Sequence, residues 1–196
     1  MVSLINNTIF KIIFLYKGNY KKSFHVREIA KLINTSHVAI LPHLKELVNN
    51  NILQSKIKGR NKIFFLNLNN VLTKDFLKIS EYINAIESIN KHKFLEGLYK
   101  EIHNLPGTFI LVNPQNIEVT LKIIYIGNSD DLKNKNIKSI SDRFNIKITI
   151  ITGSLEQFES QLIKQSNFIK NLLKNHIILT NTEIFVNSLY KYFKNK

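Results

Sequence analysis

The sequence has no cysteine and no tryptophan, and only 3 prolines and 6 glycines among 196 residues. Without cysteine the chain cannot form a disulfide, a thiolate zinc site, an iron–sulfur cluster or a cysteine nucleophile. The longest apolar run, residues 12–16, and the shorter run at residues 123–126 fall far short of the roughly 20 residues that a membrane-spanning helix needs. Met1 is not followed by a basic stretch or a small-residue cleavage site, so we expect no signal peptide. We therefore expect a cytoplasmic protein with no membrane partner.

Acidic residues are also scarce. Lys and Arg number 28 against 14 Asp and Glu, which gives a net charge of +14. Residues 1–75 contain 12 basic and 3 acidic residues, a net charge of +9, whereas residues 76–196 contain 16 and 11, a net charge of +5. Part of the lysine content could reflect AT-rich codon usage, which also enriches Ile and Asn. The concentration of charge in the first part of the chain nevertheless indicates a nucleic-acid partner.

The first part of the chain has the pattern of a helix pair followed by a β-hairpin. Asn34, Thr35 and Ser36 offer turn and N-cap chemistry between the two helices of the pair, and His25 is expected to cap or pack. Gly59 supplies a turn in the basic tip of the hairpin. The spacing of apolar residues predicts helices over residues 5–16, 26–33 and 37–49, and strands over residues 52–57 and 62–68, with the turn at residues 58–61.

The motifs FHVREIAKL, HLKELVNNNIL and KGRNKIFFLNL follow one another in this order. On these motifs, residues 8–68 resemble the winged helix-turn-helix transcriptional regulators that are common in archaea. The resemblance implies that the second helix of the pair enters the major groove of double-stranded DNA and that the hairpin, or wing, contacts phosphates. It also implies a homodimer, because such modules usually read two half-sites.

The candidate DNA contacts are the polar and basic residues of the helix pair and the wing. They are Arg27, Ser36, His37, Lys45, Lys56, Lys58, Arg60, Asn61 and Lys62. For the wing lysines, an ordinary solvated hairpin surface is the alternative. The outward face of the third helix is predicted to carry Val38, Leu41 and Pro42 as well, which offer base edges no hydrogen bonds. Pro42 is expected to kink or shorten this helix. The apolar face could instead bind another protein.

The second part of the chain alternates strands with helices, which is typical of a mixed α/β domain. Residues 70–105 are predicted to be continuously helical. Strands are predicted over residues 108–112, 118–127 and 146–152, a helix over residues 130–144, and a helical tail from residue 154 that an extended segment interrupts at residues 176–180.

The tail SLEQFESQLIKQSNFIKNLLKNHIILTNTEIFVNSL resembles the small nucleotidyltransferase-like domains that archaeal regulators carry behind a winged helix, over roughly residues 94–193. Active members have a Gly-Ser pair and an Asp-x-Asp strand whose carboxylates hold two Mg²⁺ ions. Here Gly107 and Thr108 stand at the Gly-Ser pair, and Thr120 and Lys122 stand at or near the Asp positions, with Glu118 as the only acid nearby. The resemblance therefore implies an inactive nucleotidyltransferase fold without a metal or another cofactor.

Asp130 and Asp131 form a further acidic pair. Their position ahead of a predicted helix favours N-terminal capping over catalysis. The sequence contains no phosphate-binding loop, and its histidines show no metal-ligand spacing with acids.

Together these patterns predict an α+β protein in three parts. Residues 1–69 form a winged helix-turn-helix domain, residues 70–92 a helical connector, and residues 93–196 a nucleotidyltransferase-like domain. The predicted function is a DNA-binding transcriptional regulator. Two alternatives stay open, a metal-dependent nucleotidyltransferase with an atypical site and a protein-interaction module that uses the apolar helix face. The helix at residues 70–90 is either a dimer surface or packs on its own domain.

Overall fold

The structure, a computed structural model, describes residues 8–114, 119–133 and 135–196. The described residues form a mixed α/β protein with nine α-helices and two sheets. The chain divides into two compact units. The first unit ends at Ser80 and also includes Leu189–Lys196, and the second unit is Glu81–Ser188. The sequence predicts boundaries after residues 69 and 92, whereas this division falls within a helix and returns the last residues of the chain to the first unit.

The first unit has the predicted helix pair and hairpin. A three-stranded sheet of order β1-β3-β2 completes it. Strand β1 has no signal in the sequence, because three residues give too little alternation between polar and apolar positions; it forms through its antiparallel pairing with β3. The elements are α1 (Thr8–Phe14), β1 (Ser23–His25), α2 (Val26–Leu32), α3 (His37–Asn49), β2 (Leu53–Lys58), β3 (Asn61–Leu66) and the first part of α4 (Val71–Lys91).

The core of the first unit forms around the buried side of α3 and the inner face of the sheet. Ile40, Leu44 and Leu47 are buried along one side of α3, as their spacing predicts. The Tyr16 hydroxyl donates a hydrogen bond of 3.0 Å to the Phe64 carbonyl, and burial raises the pKa of Tyr16. This bond anchors the segment after α1 to β3.

The end of the chain contributes to the same core. The Tyr190 hydroxyl donates to the Leu68 carbonyl at 2.7 Å, and the Phe193 ring packs on the Tyr20 ring with centroids 5.3 Å apart. These contacts explain why the last residues belong to the first unit.

The second unit is built on a four-stranded sheet of order β6-β5-β4-β7. Strand β4 pairs antiparallel with β5 and with β7, and β5 pairs parallel with β6. The elements after α4 are α5 (Lys93–Ile102), β4 (Thr108–Val112), β5 (Thr120–Ile126), α6 (Ile137–Phe144), β6 (Lys147–Gly153), α7 (Leu155–Lys164), α8 (Asn167–Lys174), β7 (His176–Ile178) and α9 (Thr182–Lys194).

Two predicted helices of this part are divided. The prediction of one helix over residues 70–105 is wrong, because His92 is extended (φ −133°, ψ 109°) and separates α4 from α5. The prediction of a helix over residues 130–144 is also wrong, since a 3₁₀ turn at Ser129–Leu132 precedes a shorter α6. The extended segment predicted in the tail is confirmed as β7.

Helices pack against both faces of the second sheet at its centre. Leu121, Ile123 and Tyr125 of β5 point to one face and join a buried cluster with α5 and α6. On α7 and α9, the Phe158 and Phe185 rings pack with centroids 5.4 Å apart. The outer strand β6 is more exposed than β5 along its length.

Candidate nucleic-acid interface

The hairpin keeps strand pairing to its tip. Lys58 pairs with Asn61, so the turn consists of Gly59 and Arg60 alone and is shorter than the predicted turn over residues 58–61. Gly59 has a φ of +60°, and a two-residue loop with glycine first is the geometry of a II′ turn. The ladder therefore holds the basic side chains on a paired backbone out to the end of the wing.

The basic residues of the wing are divided between its two faces. Lys56 and Lys58 lie on the same face of the wing, because residues two apart in a strand share a face. This face is opposite to the one that carries the buried Phe64. Lys62 pairs with Ile57 and lies on the face that carries the buried Phe64. Arg60 is at the tip between them. Phosphates could therefore be contacted from both sides of the hairpin and from its end.

The wing cations are available to a ligand. Lys56, Lys58, Arg60 and Lys62 are exposed, as is Asn61. Within the part of the chain that the structure describes, none of the four basic residues forms an ion pair. The Lys56 ammonium lies 5.5 Å from the Phe65 ring centroid and that of Lys62 lies 5.7 Å from the Phe64 ring.

Caps define the starts of α2 and α3. His25 is confirmed as a cap, since its Nδ1 accepts from the Glu28 backbone N–H at 3.2 Å. Ser36 is the N-cap of α3, with its hydroxyl accepting from the Ala39 N–H at 3.1 Å. Arg27 is exposed on α2. The predicted site residue Ser36 thus has a structural role, whether or not it touches a ligand.

The outward face of α3 is as predicted. Val38 is 63% exposed and Leu41 is 46% exposed, and His37 and Lys45 are exposed beside them. Pro42 lies on the same outward side and does not shorten the helix, which continues to Asn49. The expectation of a shortened helix is wrong because one missing N–H is outweighed by the buried side chains on the opposite face of α3.

The positions compared with the nucleotidyltransferase metal site carry no carboxylate in the described residues. Thr120 and Lys122 lie exposed on β5, and Glu118 lies outside the described residues. A Cβ on Gly107 would collide with the Tyr125 ring and with the Ile126 carbonyl. Close packing on Tyr125 is therefore what requires glycine at this position.

The acidic pair after β5 is occupied by local contacts. Asn128 caps the 3₁₀ turn by accepting from the Asp130 N–H, and Asp130 pairs with Lys133 at 2.9 Å. Asp131 Oδ2 accepts a short hydrogen bond of 2.5 Å from the Tyr125 hydroxyl. The cap is thus Asn128, and Asp131 instead anchors a tyrosine, a role that sequence spacing does not reveal.

Within residues 8–114, 119–133 and 135–196, no group of three or more His, Asp or Glu side chains is placed to hold a metal ion. Over the same ranges, no helix combines the length and hydropathy needed to cross a membrane. No family model, curated protein or solved structure matches the chain.

Proposed function

We propose that the protein is a DNA-binding transcriptional regulator whose first unit is a winged helix-turn-helix. The observation that carries the proposal is the hairpin beside the helix pair α2 and α3, which presents exposed basic residues that form no ion pair with any other described residue. The pairing of β1 with β3 supports the same assignment, because it ties the hairpin to the residues that begin α2. In this arrangement α3 occupies the major groove and the wing contacts the backbone.

Most of the affinity comes from phosphate contacts. The wing neutralises DNA phosphates with basic side chains from both of its faces and from its tip, namely Lys56, Lys58, Arg60 and Lys62. Arg27 and Lys45 contact the flanking DNA backbone. Each phosphate contact releases a counterion, so log K falls by about 0.9 for each tenfold rise in salt and each contact. The affinity for DNA should therefore fall steeply as the salt concentration rises.

Base discrimination is modest. Val38 and Leu41 can contact thymine methyl groups, but they cannot hydrogen bond to base edges. His37 and Lys45 are the polar groups that remain on this face. A protein of this kind prefers some sequences through methyl contacts and DNA shape more than through bidentate hydrogen bonds.

A second candidate function is a protein-interaction module. The exposure of Val38 and Leu41 on adjacent turns of α3 favours it, because apolar side chains on a helix can dock in a hydrophobic groove. The two candidates differ in what they require of the wing. DNA binding depends on Arg60 and Lys62, whereas a partner docked on α3 does not.

For the second unit we propose a nucleotidyltransferase-like fold without catalytic activity. Lys122 supports this, since an ammonium at a metal-ligand position repels Mg²⁺. Incubation with Mg²⁺ and labelled nucleoside triphosphates tests the proposal, and transfer that Glu118→Gln abolishes would contradict it.

We also propose a homodimer formed through α4. Leu72 and Ile79 are 51% and 42% exposed and are two turns apart on one face of the helix. Thr73, Leu77 and Ser80 are buried on a side of the helix about 100° around from that face. Sedimentation equilibrium should show a dimer that the variant Leu72→Glu, Ile79→Glu converts to a monomer with unchanged helix content; a monomeric wild-type protein would contradict this proposal.

The central test is fluorescence anisotropy with a labelled duplex over a series of salt concentrations. The variant Arg60→Ala, Lys62→Ala should bind at least tenfold more weakly, and its salt slope should be shallower by about 1.8, which corresponds to two lost contacts. The control Lys164→Ala, Lys170→Ala removes the same charge from exposed positions of the second unit and should bind like the wild type. Affinity that does not change with salt, or equal effects of both variants, would refute the wing as the DNA contact.

A further inference from the structure

A cleft of about 430 Å³ lies in the second unit at the carboxyl ends of the parallel strands β5 and β6. This volume falls in the range of small-molecule sites in proteins. The carboxyl ends of parallel strands are also where open α/β sheets place their ligands. All residues that line the cleft belong to the second unit.

The walls of the cleft are apolar and partly aromatic. Ile124 and Ile151 are cross-strand partners on β5 and β6 and form one side. Phe158 of α7 and Phe168 of α8 line it as well. Phe168 is 41% exposed, which is a large open surface for an aromatic side chain. A flat ring would cover it at a favourable stacking geometry.

The polar groups of the cleft are amides and hydroxyls. Gln157 and Ser154 form a capping box, in which the Ser154 N–H donates to Gln157 Oε1 at 2.9 Å and the Ser154 hydroxyl accepts from the Gln157 N–H at 3.2 Å. These side chains therefore already accept hydrogen bonds from some of the free backbone N–H groups at the start of α7. The Gln161 side-chain amide has no hydrogen-bond partner among the described residues, and it offers one donor and one acceptor edge.

Charge decides the class of ligand. None of the described residues that line the cleft is charged, although the chain carries a net charge of +14. An ionic ligand would lose its hydration there without gaining a counter-charge. We propose that this cleft binds an uncharged, ring-containing small molecule, which packs on Phe168 and Ile151 and hydrogen bonds through its edge to Gln161.

Indole is a suitable probe for the test, because it is neutral, planar and has one N–H donor. The chain contains no tryptophan, so indole fluorescence excited beyond tyrosine absorption reports the probe alone. Titration with the full-length protein should give saturable binding with a blue-shifted emission. The variant Gln161→Leu should bind indole about fivefold more weakly, which corresponds to one lost hydrogen bond, and should bind 1-methylindole as the wild type does.

Filling the cleft locates the site. Ile151 is 42% exposed on β6, and Ile163 is 73% exposed on α7 outside the cleft. Ile151→Tyr should weaken indole binding at least tenfold, whereas the matched control Ile163→Tyr should not change it. Phe168→Ala provides a second variant at an exposed position and should also weaken binding. The absence of saturable binding by the wild type, or affinity that Ile151→Tyr and Phe168→Ala leave unchanged, would overturn the proposal.

Discussion

Nε2 of His176 lies 3.2 Å from Oε1 of Glu81, a residue 95 positions earlier in the chain, and the two side chains are 0% and 4% exposed. The other ring nitrogen, Nδ1, lies 3.0 Å from the Leu172 carbonyl. A carbonyl only accepts, so Nδ1 carries a hydrogen. Nε2 therefore is the ring nitrogen that faces the Glu81 carboxyl group. The contact joins α4 to β7 within the second unit.

Removing one member of this buried pair should destabilise the protein strongly. We expect Glu81→Ala to lower the free energy of unfolding by about 3–5 kcal/mol, because it leaves the other polar group buried without its partner. Glu81→Gln keeps a hydrogen-bonding group and should cost less. Urea denaturation followed by circular dichroism measures both. The control Glu96→Ala breaks the exposed pair of Glu96 with Lys100 and should have no measurable effect; an equal effect of Glu81→Ala and Glu96→Ala would contradict this prediction.

Stability should fall at alkaline pH through Tyr125. Burial, followed by the hydrogen bond to Asp131 and its charge, raises the pKa of Tyr125 from 10.0 to about 12. Between these values the unfolded chain has lost a proton that the folded chain retains, so the free energy of unfolding decreases as pH rises through this window and is unaffected by this group below it. Tyr125→Phe should flatten that decrease in denaturation measured at several pH values. A slope identical to that of the wild type would show that the phenol ionises equally in both states.

Two glycines of the second unit should respond to alanine in opposite directions. Gly107→Ala forces a methyl group into the Tyr125 ring and should cost about 1–3 kcal/mol. Gly97 lies within α5, and a Cβ there would meet Phe144 at an ordinary 3.6 Å, so Gly97→Ala should stabilise the protein by about 0.5–1 kcal/mol. Thermal denaturation of both variants distinguishes the effects, and stabilisation by Gly107→Ala would refute the close packing on Tyr125.

Local signals were sufficient for some elements of the fold and not for others. Ile40, Leu44 and Leu47 repeat at helical spacing, and Gly59 permits the turn, so α3 and the hairpin are predictable from neighbouring residues. Strand β1 depends on pairing with β3, and the break at His92 falls in an apolar pattern that continues through it. The contact of Glu81 with His176 likewise forms only once the sheet has brought distant segments together.

The same distinction applies to the candidate interface. Exposure of Val38 and Leu41 follows from burial of the opposite side of α3, and sequence spacing predicts it. That Lys56 and Lys62 lie on different faces of the wing depends on the cross-strand register, which composition does not express. The cleft on Phe168 has no sequence signature, because its lining residues come from strands and helices whose packing must be known first.

Methyl contacts from α3 should be detectable on modified DNA. If Val38 and Leu41 contact thymine methyl groups, a duplex with deoxyuridine in place of thymidine should bind the wild-type protein several-fold more weakly. The variant Val38→Ala, Leu41→Ala should bind both duplexes equally, since it lacks the contacting side chains. Anisotropy titrations at fixed salt measure all four combinations. Equal wild-type affinity for the two duplexes would place α3 away from the thymine methyl groups, while leaving the wing contacts to phosphate unaffected.

If α3 contacts DNA as proposed, substitutions of Ser36 should separate the stability of this helix from its affinity for DNA. Ser36→Ala removes the N-cap and should cost about 1 kcal/mol. Ser36→Asp keeps a capping oxygen and places a negative charge at the helix start, which is favourable there, so it should fold as stably as the wild type. The same charge repels phosphate, and Ser36→Asp should therefore bind duplex DNA more weakly than Ser36→Ala despite being the more stable variant. Denaturation midpoints and DNA anisotropy measured on both variants test this inversion; if affinity instead follows stability, Ser36 acts on DNA binding only by supporting the helix.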